Sequence, residues 1–147
     1  MSATRIHIIL YSAAGVAALV GLAESIYLSV MAFTGETVVC GGSASCYEVL
    51  GSAYARIGGV PVAALGALAY FGVFSCATFA LFGYVRARMF FALIVWMMFA
   101  FTFWLLYVQA FVLHAFCRYC LFSAAIIFLL AGIAVAMPAA SERKTAR

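Results

Sequence analysis

Four long apolar runs order the chain, at residues 8–33, 60–84, 89–113 and 119–137. Each approaches or exceeds the roughly 20 mostly apolar residues that a helix needs to cross a bilayer. Long period-two alternation is absent, and Ala, Leu, Met and Phe dominate, so the runs predict helices rather than barrel strands. Short joints link most of them, which predicts an all-α, four-helix integral membrane bundle. No linker, repeat or low-complexity segment is left over, so residues 1–147 read as one membrane domain. The first run is too long for the apolar core of a signal peptide and reads as a retained helix.

Composition narrows the class. Hydrophobic residues make up 69% of the chain and charged residues 8%, against about 25% charged in a soluble domain. That excludes a soluble enzyme, a disordered chain and a nucleic-acid binder. The net charge of +4 is spread thinly and forms no basic tract. Arg5, Arg86, Arg88, Arg143, Lys144 and Arg147 fall on one side of four spans, and only Arg56 and Arg118 on the other. The positive-inside rule then predicts a multi-pass cell-membrane protein with cytoplasmic termini. The connection at 34–59 and the joint at 114–118 face outward.

The outward connection carries chemistry. Cys40 and Cys46 flank Gly41-Gly42-Ser43-Ala44-Ser45, a flexible stretch able to close a disulfide. Residues 47–57 read as a short amphipathic helix, with Val49, Leu50, Ala53 and Ile57 on one face and Glu48, Ser52 and Arg56 on another. Too short to span, it is expected to lie on the membrane or lid the bundle. Gly58-Gly59 then breaks the chain, and Pro61 suits the first turn of the second span.

Cys117-Arg118-Tyr119-Cys120 is a C-x-x-C motif where the fourth span begins, on the same outward side. There the compartment is oxidising in a prokaryote. The partial positive charge of a helix start and the nearby Arg118 both favour thiolate, the nucleophilic form. A reactive thiolate at the boundary can meet a water-side dithiol on one hand and a lipid-soluble oxidant on the other. The mobile Cys40/Cys46 pair suits carriage of electrons from a soluble partner by thiol–disulfide exchange. Two static disulfide staples remain an alternative reading. Zinc is disfavoured, because a C-x5-C knuckle is unusual and the other pair opens a membrane helix, so no metal is expected. Cys76, alone at membrane depth, reads as an ordinary small apolar residue.

Glu24 lies inside the first span, where an ionisable residue is a functional candidate by default. It reads either as a proton site or as an outer-third side chain facing water or a polar partner. His114 precedes Cys117 by three residues and can tune or protonate a thiolate or help protonate a bound quinone, although a plain interfacial histidine is the favoured reading. His7 lies at the opposite end, so the pair does not suggest haem. The third run is dense in aromatics. Trp104, Tyr107 and Phe111 recur at spacing three and four on the side of the C-x-x-C and are the candidate wall for a flat apolar ligand.

The ordered set of Cys40, Cys46, Cys117 and Cys120, with Ser52-Ala53-Tyr54-Ala55-Arg56-Ile57, then Gly59-Val60-Pro61-Val62-Ala63-Ala64-Leu65-Gly66 and Tyr70, resembles the vitamin K epoxide reductase family in its bacterial and archaeal branch. The resemblance covers nearly the whole chain. It implies a four-helix bundle around a quinone, lidded by the short helix. It implies that Cys120 reacts at the quinone, that Cys117 exchanges with Cys46, and that Cys40 receives electrons from a thioredoxin-fold protein. Ser52 matches a serine typical of the family six residues after the second loop cysteine. Prokaryotic members reoxidise an extracytoplasmic thiol oxidase and reduce ubiquinone or menaquinone, which supports disulfide-bond formation. Many carry a fused thioredoxin-like domain. This chain ends soon after its fourth run, so the expected partner is a separate thioredoxin-fold, DsbA-like protein, besides the membrane quinone pool and lipid. Ala124 stands where animal members have a tyrosine, which favours plain quinone reduction over epoxide reduction.

Two other classes compete. A DsbB-type oxidoreductase does the same work with its C-x-x-C in the first outer loop, which fits this order less well. Small multidrug transporters also have four helices and a glutamate in the first, as Glu24 is here. They give no reason for two outward cysteine pairs.

Overall fold

The computed structural model describes residues 3–34, 56–114 and 118–136. Four helices account for most of them: α1 (Ala3–Thr34), α2 (Val62–Leu81), α3 (Val85–Tyr107) and α4 (Arg118–Ala136). A π turn, Val108–Val112, prolongs α3. The Leu113 N–H closes it by donating to the Val108 carbonyl at 2.8 Å. All four helices are long and apolar enough to cross a membrane. The expected all-α four-helix bundle is the fold.

These helices are apolar nearly all round, so polarity marks no packing face. Fit decides instead. Ala14, Ala18, Gly21 and Ser25, at spacing four, three and four, give α1 a stripe of small side chains. Such stripes let membrane helices approach closely. Against α1 packs α2, whose Tyr70, Val73, Ala77 and Ala80 are all buried. Gly21 gives room to the Tyr70 ring, and Gly66 lies beside the Ser25 hydroxyl. α3 and α4 complete the core through Phe91, Val95, Ile127 and Leu130. Hydroxyls inside the helices bond to their own backbone, as lipid surroundings require. Ser29 donates to the Ser25 carbonyl at 2.6 Å, and Thr78 to the Phe74 carbonyl at 2.9 Å.

Ring contacts fix the two ends. Near the start of α1, Tyr11 meets Phe91 of α3 edge-on at 5.5 Å, with the Arg88 guanidinium 6.0 Å from the Tyr11 ring centroid. Near the other end of α1, Leu28 packs with Ala63, Leu113, Tyr119 and Cys120. Arg5, Arg86 and Arg88 therefore share one end of the bundle, and Arg56 and Arg118 the other.

Two boundaries differ from expectation. The short helix expected at 47–57 lies outside the described residues up to position 55. Its last two residues are not helical: Arg56–Ile57 pairs antiparallel with Val60–Pro61, in the register Arg56↔Pro61 and Ile57↔Val60. The cause is Gly58-Gly59. Both glycines have positive φ, 58° and 86°, as a two-residue type I′ hairpin turn demands. The glycines read as a chain break are thus a turn that reverses the chain. Pro61 consequently precedes the first turn of α2 instead of lying in it. The hairpin is tied down by Arg56, which donates to the Ala32 carbonyl at 3.1 Å. That carbonyl belongs to the last described turn of α1.

The second run ends earlier than 84, and the third begins earlier than 89. Phe82–Tyr84 alone join α2 to α3, and Gly83 has φ 94°. Gly83 N–H donates to the Ala80 carbonyl at 3.1 Å and Tyr84 N–H to the Phe79 carbonyl at 3.2 Å. Phe79 and Tyr84 pack edge-on at 5.8 Å. This is a Schellman ending with its apolar clasp, which needs a left-handed residue at the position of Gly83. Arg86 and Arg88 therefore belong to the first turn of α3 instead of to the joint.

Candidate active site: a cavity beside Cys120

A cavity of about 740 Å³ opens among all four helices. Its size suits a small-molecule ligand, and its wall has the expected character, mostly apolar with a few polar groups. α1 gives Glu24, Ser25 and Leu28. The hairpin gives Ile57, and α2 gives Ala63, Gly66 and Tyr70. α3 and its π turn give Met97, Phe101, Thr102, Trp104, Leu105 and Gln109. α4 gives Tyr119, Cys120, Ser123 and Ala124.

Cys120 stands in the first turn of α4, where the backbone N–H groups lend partial positive charge. Its side chain is half-buried and packs on Leu28. One turn further along α4, the Ser123 hydroxyl lies 2.6 Å from the Tyr70 hydroxyl, which also donates to the Ser123 carbonyl at 3.3 Å. Tyr70 is only 1% exposed, so this link joins α2 to α4 inside the bundle. Both carboxylate oxygens of Glu24 are shut off from solvent. Gln109 is 3% exposed, with Ser25 and Thr102 also buried. A rare π turn carries Gln109, and such turns recur at functional sites.

Of the expected site residues, Cys120 and Trp104 line the cavity. Tyr107 and Phe111 do not. They are 58% and 67% exposed and pack on each other at 5.1 Å. The helical spacing linking them to Trp104 is real, but the stripe turns toward the outside of the bundle, with Trp104 at its inner edge. Cys40, Cys46, Ser52 and Cys117 lie outside the described residues. His114 is exposed and has a positive φ of 51°. Cys76 packs against the core away from the cavity wall.

Sequence reasoning passed over Gln109, Thr102 and Ser123. A signal existed for Gln109, a strongly polar residue inside an apolar run. Thr102 and Ser123 carry hydroxyls that any membrane helix tolerates, so nothing in the chain singled them out. Tyr70 entered only as part of a motif, without its bond to Ser123.

No curated protein matches the chain significantly. Residues 12–135 match the family model described as Vitamin K epoxide reductase family. That match covers most of a four-helix membrane chain, with a cysteine of the C-x-x-C on a ligand-sized cavity. The protein belongs to the vitamin K epoxide reductase family, whose members are multi-pass membrane oxidoreductases of thiols and quinones.

Proposed function

We propose that this chain oxidises a separate thioredoxin-fold, DsbA-like protein and reduces a membrane quinone, ubiquinone or menaquinone, at Cys120. The observation that carries the reading is the place of Cys120 on the wall of the apolar cavity. A flat ring fits a wall built from Met97, Phe101, Trp104 and Leu105. When bound, the quinone supplies a two-electron oxidant. Cys40 takes the disulfide exchange with the partner, Cys46 passes it on to Cys117, and Cys117 closes a disulfide with Cys120 as two electrons leave through Cys120. The start of α4 favours the Cys120 thiolate that this exchange requires. Ser52 stays a candidate positioning residue near the loop cysteines. The cysteine end faces away from the cytoplasm in this reading. Arg5, Arg86 and Arg88 at the opposite end support that orientation.

Transport through Glu24 and a DsbB-type arrangement are not favoured by the family match. The test is quinone reduction by purified protein supplied with a dithiol. Wild type is expected to turn over and Cys120→Ala to lose turnover while remaining folded. Equal rates in the two proteins would refute the role of Cys120. A folded wild type inert toward both quinones would refute the reaction.

A further inference from the structure

The cavity holds an acid that electron transfer through cysteines leaves unused. All four acidic residues of the chain are glutamates, and Glu24 is the one among the described residues, within a helix long and apolar enough to span. It is on the cavity wall, with both carboxylate oxygens screened from solvent. Cys120 packs on Leu28, four residues further along α1. Four residues of helix rise about 6 Å, comparable to the spacing of the two carbonyl oxygens of a para-quinone. A ring lying with its oxygen–oxygen axis along α1 and one oxygen near Cys120 brings its other oxygen to the level of Glu24.

Reduction to the quinol takes two electrons and two protons, and the Cys117/Cys120 dithiol contains both pairs, one of its protons leaving as Cys120 ionises to the thiolate. The electrons leave at the sulfur. The protons must reach oxygens on opposite edges of the ring, inside a wall that is mostly apolar. Glu24, Tyr70, Ser123 and Cys120 all line the cavity, where Ser123 follows Cys120 by one turn of α4 and its hydroxyl lies 2.6 Å from that of Tyr70.

We propose that Glu24 is a catalytic residue, the proton donor to the quinone oxygen remote from Cys120, resupplied through Tyr70 and Ser123. This rests on the oxidoreductase reading above. One dithiol proton reaches the near oxygen directly. The other, released as Cys120 becomes the thiolate, replaces the proton that Glu24 gives to the far oxygen, so Glu24 ends the cycle as it began. The sum is quinone plus dithiol giving quinol plus disulfide. Holding the proton on Glu24 also spares the apolar wall a bare carboxylate.

The test compares wild type, Glu24→Gln and Glu24→Asp in quinone reduction, beside infrared spectra of the quinone-free proteins. A general acid contributes typically about 10²–10⁴-fold. Glu24→Gln is expected to lower kcat at least about 100-fold with KM within about twofold, in keeping with that range. Glu24→Asp is expected to recover part of the rate. The carboxylic-acid infrared band of the quinone-free wild type should vanish in Glu24→Gln. An unchanged kcat, a loss confined to KM, or a spectrum without a Glu24-dependent acid band would overturn the proposal. If Glu24→Gln fails to fold, isotope-labelled glutamate in wild type reports the same band, and its absence counts against the proposal equally. A wild type that reduces no quinone would fail the oxidoreductase reading itself. A fast Glu24→Gln enzyme would fail only the role of Glu24.

Discussion

Gly21 and Tyr70 make the most demanding contact between α1 and α2. A Cβ added at Gly21 would stand 2.5 Å from Cζ and 2.8 Å from Cδ1 of the Tyr70 ring. The ring cannot swing away freely. It is 1% exposed, and its hydroxyl is held by Ser123 at 2.6 Å. Gly21→Ala must therefore push the helices apart or break that bond. Overpacking of this kind costs about 1–3 kcal/mol. Loss of one hydrogen bond between membrane helices adds about 0.6 kcal/mol. Alanine returns about 0.5–1 kcal/mol through its better helix propensity. The net expectation is a destabilisation of about 1–3 kcal/mol, set mainly by the overpacking. Removing the ring reverses the sign: in a Tyr70→Ala background, Gly21→Ala should become neutral or stabilising by up to about 1 kcal/mol. Unfolding free energies of the four proteins of this cycle, in mixed micelles, measure the coupling. A Gly21→Ala penalty that persists undiminished without Tyr70 would refute the packing argument.

Three further outcomes follow from the same geometry. Leu105→Trp, which fills the cavity, is expected to raise the KM for quinone about tenfold or more, the factor that about 1.4 kcal/mol produces, while exchange with a soluble dithiol continues. Tyr107→Ala and Phe111→Ala, on the outer stripe, should change quinone KM less than about twofold, whereas Trp104→Ala should raise it several-fold in steady-state kinetics, since lining residues hold the ligand. Gly59→Ala puts a side chain at φ 86° and is expected to cost about 1–2 kcal/mol of local stability. Faster hydrogen exchange at Ile57 and Val60 would register the loosened hairpin.

The bundle was plain in the sequence because membrane spans announce themselves by length and uniform apolarity. The same uniformity hid which way each helix faces. Trp104, Tyr107 and Phe111 share a helical stripe, yet only packing distinguishes an inner edge from a lipid face when both are aromatic. Gly58-Gly59 signalled an interruption, but a chain break and a type I′ turn look alike until Ile57 and Val60 are seen to pair. Gly83 shows the same limit: its left-handed φ ends α2 where hydropathy alone ran on to Tyr84. Cys120 was legible from the C-x-x-C spacing. The polar groups around it were less so, because Ser123, Tyr70 and Glu24 lie on three different helices and meet only through tertiary packing.

The central claim is that the cavity beside Cys120 is where quinone binds. Photolabelling with an azide-bearing quinone, followed by peptide mapping, tests it most directly. The account expects label on cavity-facing positions such as Leu28, Phe101, Leu105 and Tyr119, displaced by unmodified quinone. Label confined to Tyr107 and Phe111 on the outer stripe, or label that unmodified quinone fails to displace, would contradict it.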